Sequence, residues 1–522
     1  MRQHSFTTRL KSLAVVFGIA MAFASCANED VAQNPTNSNE DNDKNLTTFV
    51  AGDETKTRTS MNYNSGDFYW EAGDYIFVKD DNNVWQRSSN APTSKVATFK
   101  YKVPGKFTAS TSYKVYYLGK KDPYSHSDDN NIKISTEQTQ KTPNNTEHFG
   151  ESGDYGSATA TKIIGKQQFQ FTLEHQPAYL VFQPYTSNTI LNKCYLTKIE
   201  VTSDNDIAET YTINTSTDNL NASAGGKQIV LTTNGSSNPN GFPLTNSTAS
   251  RTTNGAYMII KPGTHTLKVR YWIKDLATPV EGTITKLLPS TAYISNTYYD
   301  VTANLSVRDY DGDHYYMWDA PQQYWYGYEW TKHLPSGTGQ PTLVSQPAGN
   351  YAQNNSDVSR WYHEGSGTPF NATQSCDTLP NVNEMTWYAA KGEPRWDLDE
   401  LWTTMGHLHK GGMWFKKKAY ISGYNANTAV DGTDWRTSYN SRSWASSYTL
   451  PDAADASNYF YLPALGWYQY GQLTGIGDFG YYWSSSALPW STDDAYKLGF
   501  YAGSVDVYSY SRHNGLRIGA FK

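Results

Sequence analysis

Between residues 46 and 306, apolar and polar side chains alternate in short runs. Thr98-Phe99-Lys100-Tyr101-Lys102-Val103 alternates and then breaks at Pro104-Gly105, and Ser112 to Leu118 does the same before Gly119. Ala256 to Ile260 stops at Pro262-Gly263, and Leu267 to Ile273 follows with period two. Short alternating runs bounded by Gly, Pro, Asn and Asp predict antiparallel sheets with one buried face. No stretch here keeps a helical period, so the pattern predicts two β-sandwich domains, 46–170 and 171–306, joined near Gln168 to His175.

Beyond Leu305 the pattern changes, and residues 307–522 read as an α+β domain. Leu379 to Gly392 predicts a helix, with Asn381 or Asn383 as cap and Gly392 as stop. Asp397 to His409 predicts a second, because Leu398, Leu401, Trp402, Met405 and Leu408 recur at three- and four-residue spacing before Gly411-Gly412. Strands and turns follow.

The start of the chain has a different pattern again. Arg2, Arg9 and Lys11 precede an apolar run, Ser12 to Ala24, that is too short to span a bilayer and has the shape of a secretory signal. Phe23-Ala24-Ser25-Cys26 resembles a bacterial lipobox, with Phe23 where the consensus carries an aliphatic residue. Residues 1–26 are therefore expected to be a lipoprotein signal peptide, with Cys26 acylated and tethering the precursor to the outer membrane. Residues 27–45, rich in Asn, Asp, Glu, Thr and Ser, have little to bury and read as a disordered tether. Glu29 and Asp30 read equally as a surface-export signal and as a solvated linker.

Composition narrows the function classes. The 522 residues include 41 Tyr, 16 Trp and 19 Phe, an aromatic surplus with room for several cores. Net charge is -6 and no basic stripe is present, which argues against nucleic acid. Cys194 and Cys376 lie far apart in sequence, so no disulfide framework is expected even in an oxidising compartment.

Several motifs, in order, resemble the fimbrillin family of pilins from anaerobic bacteria. They are Phe68-Tyr69-Trp70-Glu71-Ala72-Gly73-Asp74-Tyr75-Ile76-Phe77-Val78, then Phe171 to Leu180 with its His175, Ala178 and Leu180, then Leu287-Leu288-Pro289 followed by Tyr298-Tyr299-Asp300-Val301. The resemblance implies two transthyretin-like antiparallel β-sandwich domains, with Trp70 and Asp74 marking the fold and no catalytic site. It also implies processing of the lipoprotein precursor by a trypsin-like, Arg-specific protease. Arg58, in Lys56-Thr57-Arg58-Thr59, is the candidate, making Thr59 the new N-terminus. Loss of the first strand, Leu46 to Ala51, would leave a groove with unpaired backbone groups, to be filled by a strand from another fimbrillin subunit.

The last 150 residues or so resemble C-type-lectin-like domains found on some tip fimbrillins. The matching pieces are Leu462-Pro463-Ala464, Gly480-Tyr481-Tyr482-Trp483-Ser484-Ser485-Ser486, Ala495 to Phe500, and Gly515-Leu516-Arg517-Ile518. Enzymes of this fold class use a reactive Cys pair, whereas Cys376 stands alone and His363, His407, His409 and His513 are scattered, so no enzyme and no cofactor are expected. On a helix, His407 and His409 would face different directions and make poor joint metal ligands. Glu393-Pro394-Arg395 lacks the calcium-lectin pattern. Asp493 and Asp494 read mainly as a solvated loop, so no metal is expected. Trp467, Tyr468, Tyr470, Trp490, Tyr508 and Tyr510 are the candidate ligand-binding aromatics, suited to stacking on a host or bacterial surface glycan or protein. Gly515 to Lys522 reads as a closing strand and not as a donor segment. The expected role is a cell-surface fimbrial tip subunit and adhesin. The alternatives are a structural anchor or shaft component, or a glycan-binding surface lipoprotein unrelated to pili.

Overall fold

The computed structural model of the chain describes residues 2–5, 45–52, 60–63, 67–120, 131–213, 220–235, 238–278, 280–310, 314–329, 349–364, 368–519 and 521. Cys26, Arg58 and Thr59 lie outside the described residues. The chain is mostly β and its strands form sandwich sheets.

The first sheet runs, in spatial order, Trp85–Arg87, Phe77–Lys79, Ser112–Tyr117, Gly156–Lys162, Gln168–Phe171, Leu46–Ala51 and Phe99–Pro104. The alternating runs predicted near 98 and 112 are two of these strands. Their inward residues, Tyr101, Val103, Val115 and Tyr117, join Phe49, Trp70, Phe107 and Phe169 in one core. Trp70 sits edge-on to Tyr101 and Tyr117, at centroid distances of 5.3 and 5.7 Å. Asp74 is buried beneath it. One carboxylate oxygen accepts the Glu71 N–H at 2.6 Å and the other accepts the Tyr117 hydroxyl at 3.0 Å, while Gly73 makes the turn at φ +85°. The motif thus closes a corner of the sandwich, where a buried carboxylate persists because both its oxygens have partners.

A second core lies between a small sheet and a long one. The small sheet orders Arg2–Ser5, Thr297–Asn304, Ala178–Tyr185 and Ala256–Ile260. The long one runs through Glu137–Thr139, Gln228–Thr232, Tyr195–Ser203, Gly263–Lys274 and Glu281–Tyr293. Three pairings in these sheets depart from a purely antiparallel reading, the third being Glu137–Thr139, parallel to Gln228–Thr232. Ala178–Tyr185 pairs parallel with Thr297–Asn304 along eight residue pairs, and Leu46–Ala51 pairs parallel with Gln168–Phe171. In addition, Ile132, Ile134, Phe149 and Tyr155 belong to this second core, and Glu137–Thr139 pairs with Gln228–Thr232. The two sandwiches therefore exchange chain in space near residues 131–155.

The predicted helix is present as Val382–Lys391. Asn381 accepts the Glu384 N–H, and the Glu384 side chain accepts the Asn381 N–H, a reciprocal cap that satisfies two otherwise orphan donors. The helix predicted over Asp397–His409 is not formed. Those residues make a hairpin, Arg395–Thr404 and His407–Lys416, turned by Met405 at φ +49° and Gly406 at φ +77°. A register shift between Asp397 and Leu401 interrupts the period of two, so the apolar residues fall at helix-like spacing along a strand. His407 and His409 consequently lie two apart on one strand and share a face, not opposite sides of a helix.

The terminal sheet orders Tyr315–Tyr316, Leu516–Arg517, Phe479–Ala487, Asp494–Tyr501, Ser504–Ser511 and Arg442–Ala445, with the hairpin Leu465–Gln469 and Gln472–Ile476 against Phe479–Ala487. The long sheet of the second sandwich continues into this domain through a parallel contact of Thr283 with Glu400. No helix among the described residues is long and apolar enough to cross a membrane.

Candidate functional site

Two places gather the residues that the sequence singles out. The first is the slot of Leu46–Ala51. This strand is not at the sheet edge. It pairs antiparallel with Phe99–Pro104 over six residue pairs and parallel with Gln168–Phe171 over four. Phe49 stacks on Phe169 at 5.1 Å and meets Phe107 edge-on at 5.1 Å. Arg58 falls in sequence between this strand and Ser60–Asn62, which pairs with Asp67–Tyr69. Cutting there would free the strand's covalent link, and its departure would expose two ladders and the apolar floor under Phe49. A further edge is occupied by Arg2–Ser5, which pairs antiparallel with Thr297–Asp300.

The second place is the outer face of the terminal sheet. Alternation along Ser504–Ser511 turns Val505 and Val507 into the core and Asp506, Tyr508 and Tyr510 outward. Tyr481, on the neighbouring Phe479–Ala487, stacks on Trp467 at 4.5 Å, and Tyr510 meets the pair at 5.6 and 6.5 Å. Lys497 lies among these rings, 4.1 Å from the Tyr481 centroid, and is ion-paired to Asp506 at 2.7 Å. Burial lowers the Lys497 pKa from its ordinary value and raises Tyr481 to about 12. The result is an aromatic platform over a neutralised ion pair, suited to the apolar faces of sugars or to a protein surface.

The predicted aromatics divide by location. Trp467 and Tyr510 are half-buried parts of the platform, and Tyr508 is 40% exposed on the same sheet face. Tyr470, 60% exposed, occupies a hairpin turn at φ +50° and stacks on His513 at 6.0 Å. Trp490 is 69% exposed in the turn before Asp494–Tyr501, at φ +69°. Left-handed backbone at a bulky residue is disfavoured, and at both positions, as at Met405, it serves a turn. Tyr468 is a correction: it is fully buried, because the residue after Trp467 on a strand points the opposite way, into Tyr315 and Tyr324. Phe479, Tyr481, Lys497 and Asp506 were missed by sequence reasoning, although the period-two spacing of 479/481 and 506/508/510 carried the signal.

The chemistry of the remaining candidates is structural. Among the described residues Cys194 and Cys376 are free and buried, and burial pushes the Cys194 thiol up to about 12 and raises Cys376 as well, the opposite of what a nucleophile needs. Glu393 is occupied by Lys416, Arg395 and Tyr459. Asp493 accepts the Tyr362 hydroxyl at 3.3 Å. Among the described residues no group of three or more His, Cys, Asp or Glu side chains could hold a metal ion. Trp483 and Ser484 to Ser486, which carried the lectin-like resemblance, are core: Trp483 donates to the Tyr316 carbonyl, and Ser486 accepts the Val382 N–H at the start of the helix.

No protein-family model matches the chain, and no curated protein sequence does. Solved structures similar to it include a candidate cell adhesion protein of Bacteroides ovatus, at 12% identity over 50% of this chain and 93% of that one, with a TM-score of 0.29. A fimbrial assembly protein of Parabacteroides distasonis matches at 12% identity over 50% of this chain and 90% of that one, with a TM-score of 0.24. The fimbrial anchor protein Mfa2 of Porphyromonas gingivalis matches at 9% identity over 47% of this chain and 83% of that one, with a TM-score of 0.21. At such scores the likeness adds nothing to what the residues themselves argue.

Proposed function

We propose that this chain is a fimbrial subunit that joins a pilus by accepting a neighbour's strand in the slot now held by Leu46–Ala51, and that it acts at the tip as an adhesin. The observation that carries the reading is the interior position of that strand. A strand bonded on both sides and seated by one large ring leaves, on removal, a slot that only another extended segment can refill. In this reading Cys26 is lipidated in the precursor, an Arg-specific protease cuts after Arg58, and another fimbrial subunit supplies the replacement. The Arg2–Ser5 pairing supports the idea that strand edges of this fold accept extended segments, here at Thr297–Asp300. The exposed Tyr470, Tyr508 and Trp490, with the platform around Trp467, support a binding role for the terminal domain without catalysis or metal.

The test is N-terminal sequencing of the protein from sheared fimbriae, for wild type and Arg58→Ala. The reading expects Thr59 at the mature N-terminus and exclusion of the variant from fimbriae. Arg58→Ala subunits that assemble as well as wild type would overturn it.

A further inference from the structure

A cavity of about 310 Å³ opens at the seam between the second sandwich and the terminal domain. Lys268, Arg270 and Leu287 line it from the sandwich, and Trp414, Lys417 and Tyr459 from the terminal domain. Its charges are not equivalent. Arg270 is tied to the wall: it donates twice to the Thr283 hydroxyl oxygen and once, at 2.9 Å, to Asp397. Asp397 also accepts the Trp414 indole N–H at 3.0 Å and the N–H groups of Asp399 and Glu400. That pair is closed on itself.

Lys268 is different. It is only 8% exposed, yet its ammonium group has a single hydrogen bond, to the carbonyl of Pro451. Lys417, on the facing wall, donates to the Ser457 carbonyl at 3.0 Å. Among the described residues neither ammonium has a carboxylate within ion-pair distance. Each carries three N–H donors, and a buried cation with one neutral partner is costly unless an anion completes it. The lining therefore carries three cations, Lys268, Arg270 and Lys417, against one carboxylate, Asp397, while Glu200 and Asp452 act on Lys268 only from beyond ion-pair distance. Both ammonium groups donate to carbonyls of one segment, 451–457, which itself lines the cavity. The rest of the lining is apolar or aromatic: Leu287, Leu450, Ala456 and the rings of Trp414 and Tyr459. The hydroxyls of Thr285 and Ser457 complete it. The volume is at the lower end for ligand sites, which suits a single ring rather than a chain.

We propose that this seam cavity binds an acidic monosaccharide, a pyranose bearing a carboxylate. The carboxylate takes the Lys268 and Lys417 end, and the sugar's apolar C–H face lies on the aromatic wall at Trp414. The site is separate from both the strand slot and the outer aromatic platform, so it stands whether or not the chain joins a pilus. It also touches two domains at once, so an occupant braces the seam.

The test is isothermal titration of the full chain with glucuronate, N-acetylneuraminate and, as the neutral control, glucose, followed by an array of glycans ending in the acid that binds. The array separates a free sugar from a terminal glycan residue as the source. The expected result is saturable binding of at least one acid, at least tenfold tighter than glucose, weakened by added salt and by at least tenfold in Lys268→Met and in Lys417→Met. Lys268→Met removes a buried charge and is expected to fold. Lys417→Met, at the half-exposed rim, gives an independent reading. Equal binding of acids and glucose, no binding of any of the three, or wild-type affinity in both variants would overturn the proposal.

Discussion

Phe49→Ala gives a direct measure of how firmly the first strand is held. The ring is fully buried between Phe169 and Phe107, and replacing a buried Phe by Ala costs about 3–5 kcal/mol. The backbone ladders on both sides of Leu46–Ala51 remain possible in the variant, so the loss is one of packing. Phe49 belongs to a buried cluster distinct from the other three, so the loss falls first on the first sandwich. At about 1.4 kcal/mol per factor of ten, amides whose exchange requires opening of this sandwich should exchange roughly a hundred- to several-thousand-fold faster. Hydrogen exchange read by mass spectrometry should show this across 99–104 and 168–171, with the strands Phe479–Ala487 and Asp494–Tyr501 unchanged. Val50→Thr, a near-isosteric change at a partly exposed position on the opposite face of the same strand, should change exchange by no more than about threefold, in line with surface substitutions that stay within about 0.5 kcal/mol. Less than a tenfold change in Phe49→Ala would refute the idea that this ring seats the strand.

At the seam, Glu400 is held by the backbone N–H and hydroxyl of Thr285 and the hydroxyl of Thr283, but burial, reinforced by the negative charge of Asp397, raises its pKa above the ordinary carboxylate range. Stability from this group is therefore present below its unfolded pKa and is lost as pH rises through the raised folded value. Denaturant unfolding of the seam should weaken over that window in wild type and not in Glu400→Gln; an unchanged slope would contradict the burial argument. Trp490→Gly should leave thermal stability unchanged or higher, since glycine relieves the left-handed backbone, while lowering binding on glycan and matrix arrays. Binding that survives Trp490→Gly and Trp467→Ala but disappears in EDTA would point to metal chemistry instead. Cys26→Ala should abolish palmitate labelling and block maturation of the precursor; normal maturation would remove the lipoprotein reading.

Much of the local structure was legible because its causes are local. The alternating runs near 98, 112 and 267 are strands, and Asn381 with Glu384 announces the helix start. The hairpin of Arg395–Lys416 was misread because a register shift mimics helical spacing, and only pairing with Tyr459–Pro463 on its far side settles the matter. The parallel pairings and the transfer of 131–155 to the second core depend on partners far away in sequence, which periodicity does not report. Tyr468 was misplaced by grouping it with its aromatic neighbours, when strand alternation turns it inward and Trp467 outward. The seam cavity draws on residues from 268 to 459, and no sequence motif unites them.

If the slot of Leu46–Ala51 is refilled by another subunit, that strand must be traceable in the assembled fimbria. A photoreactive residue in place of Lys102, which lies opposite Thr48 in the ladder, can be activated in fimbriae sheared from cells and the linked peptide identified by mass spectrometry. Strand acceptance predicts a peptide from a different fimbrial subunit, with residues 46–51 of this chain absent from the preparation. A link to this chain's own 46–51 segment in assembled fimbriae would contradict it.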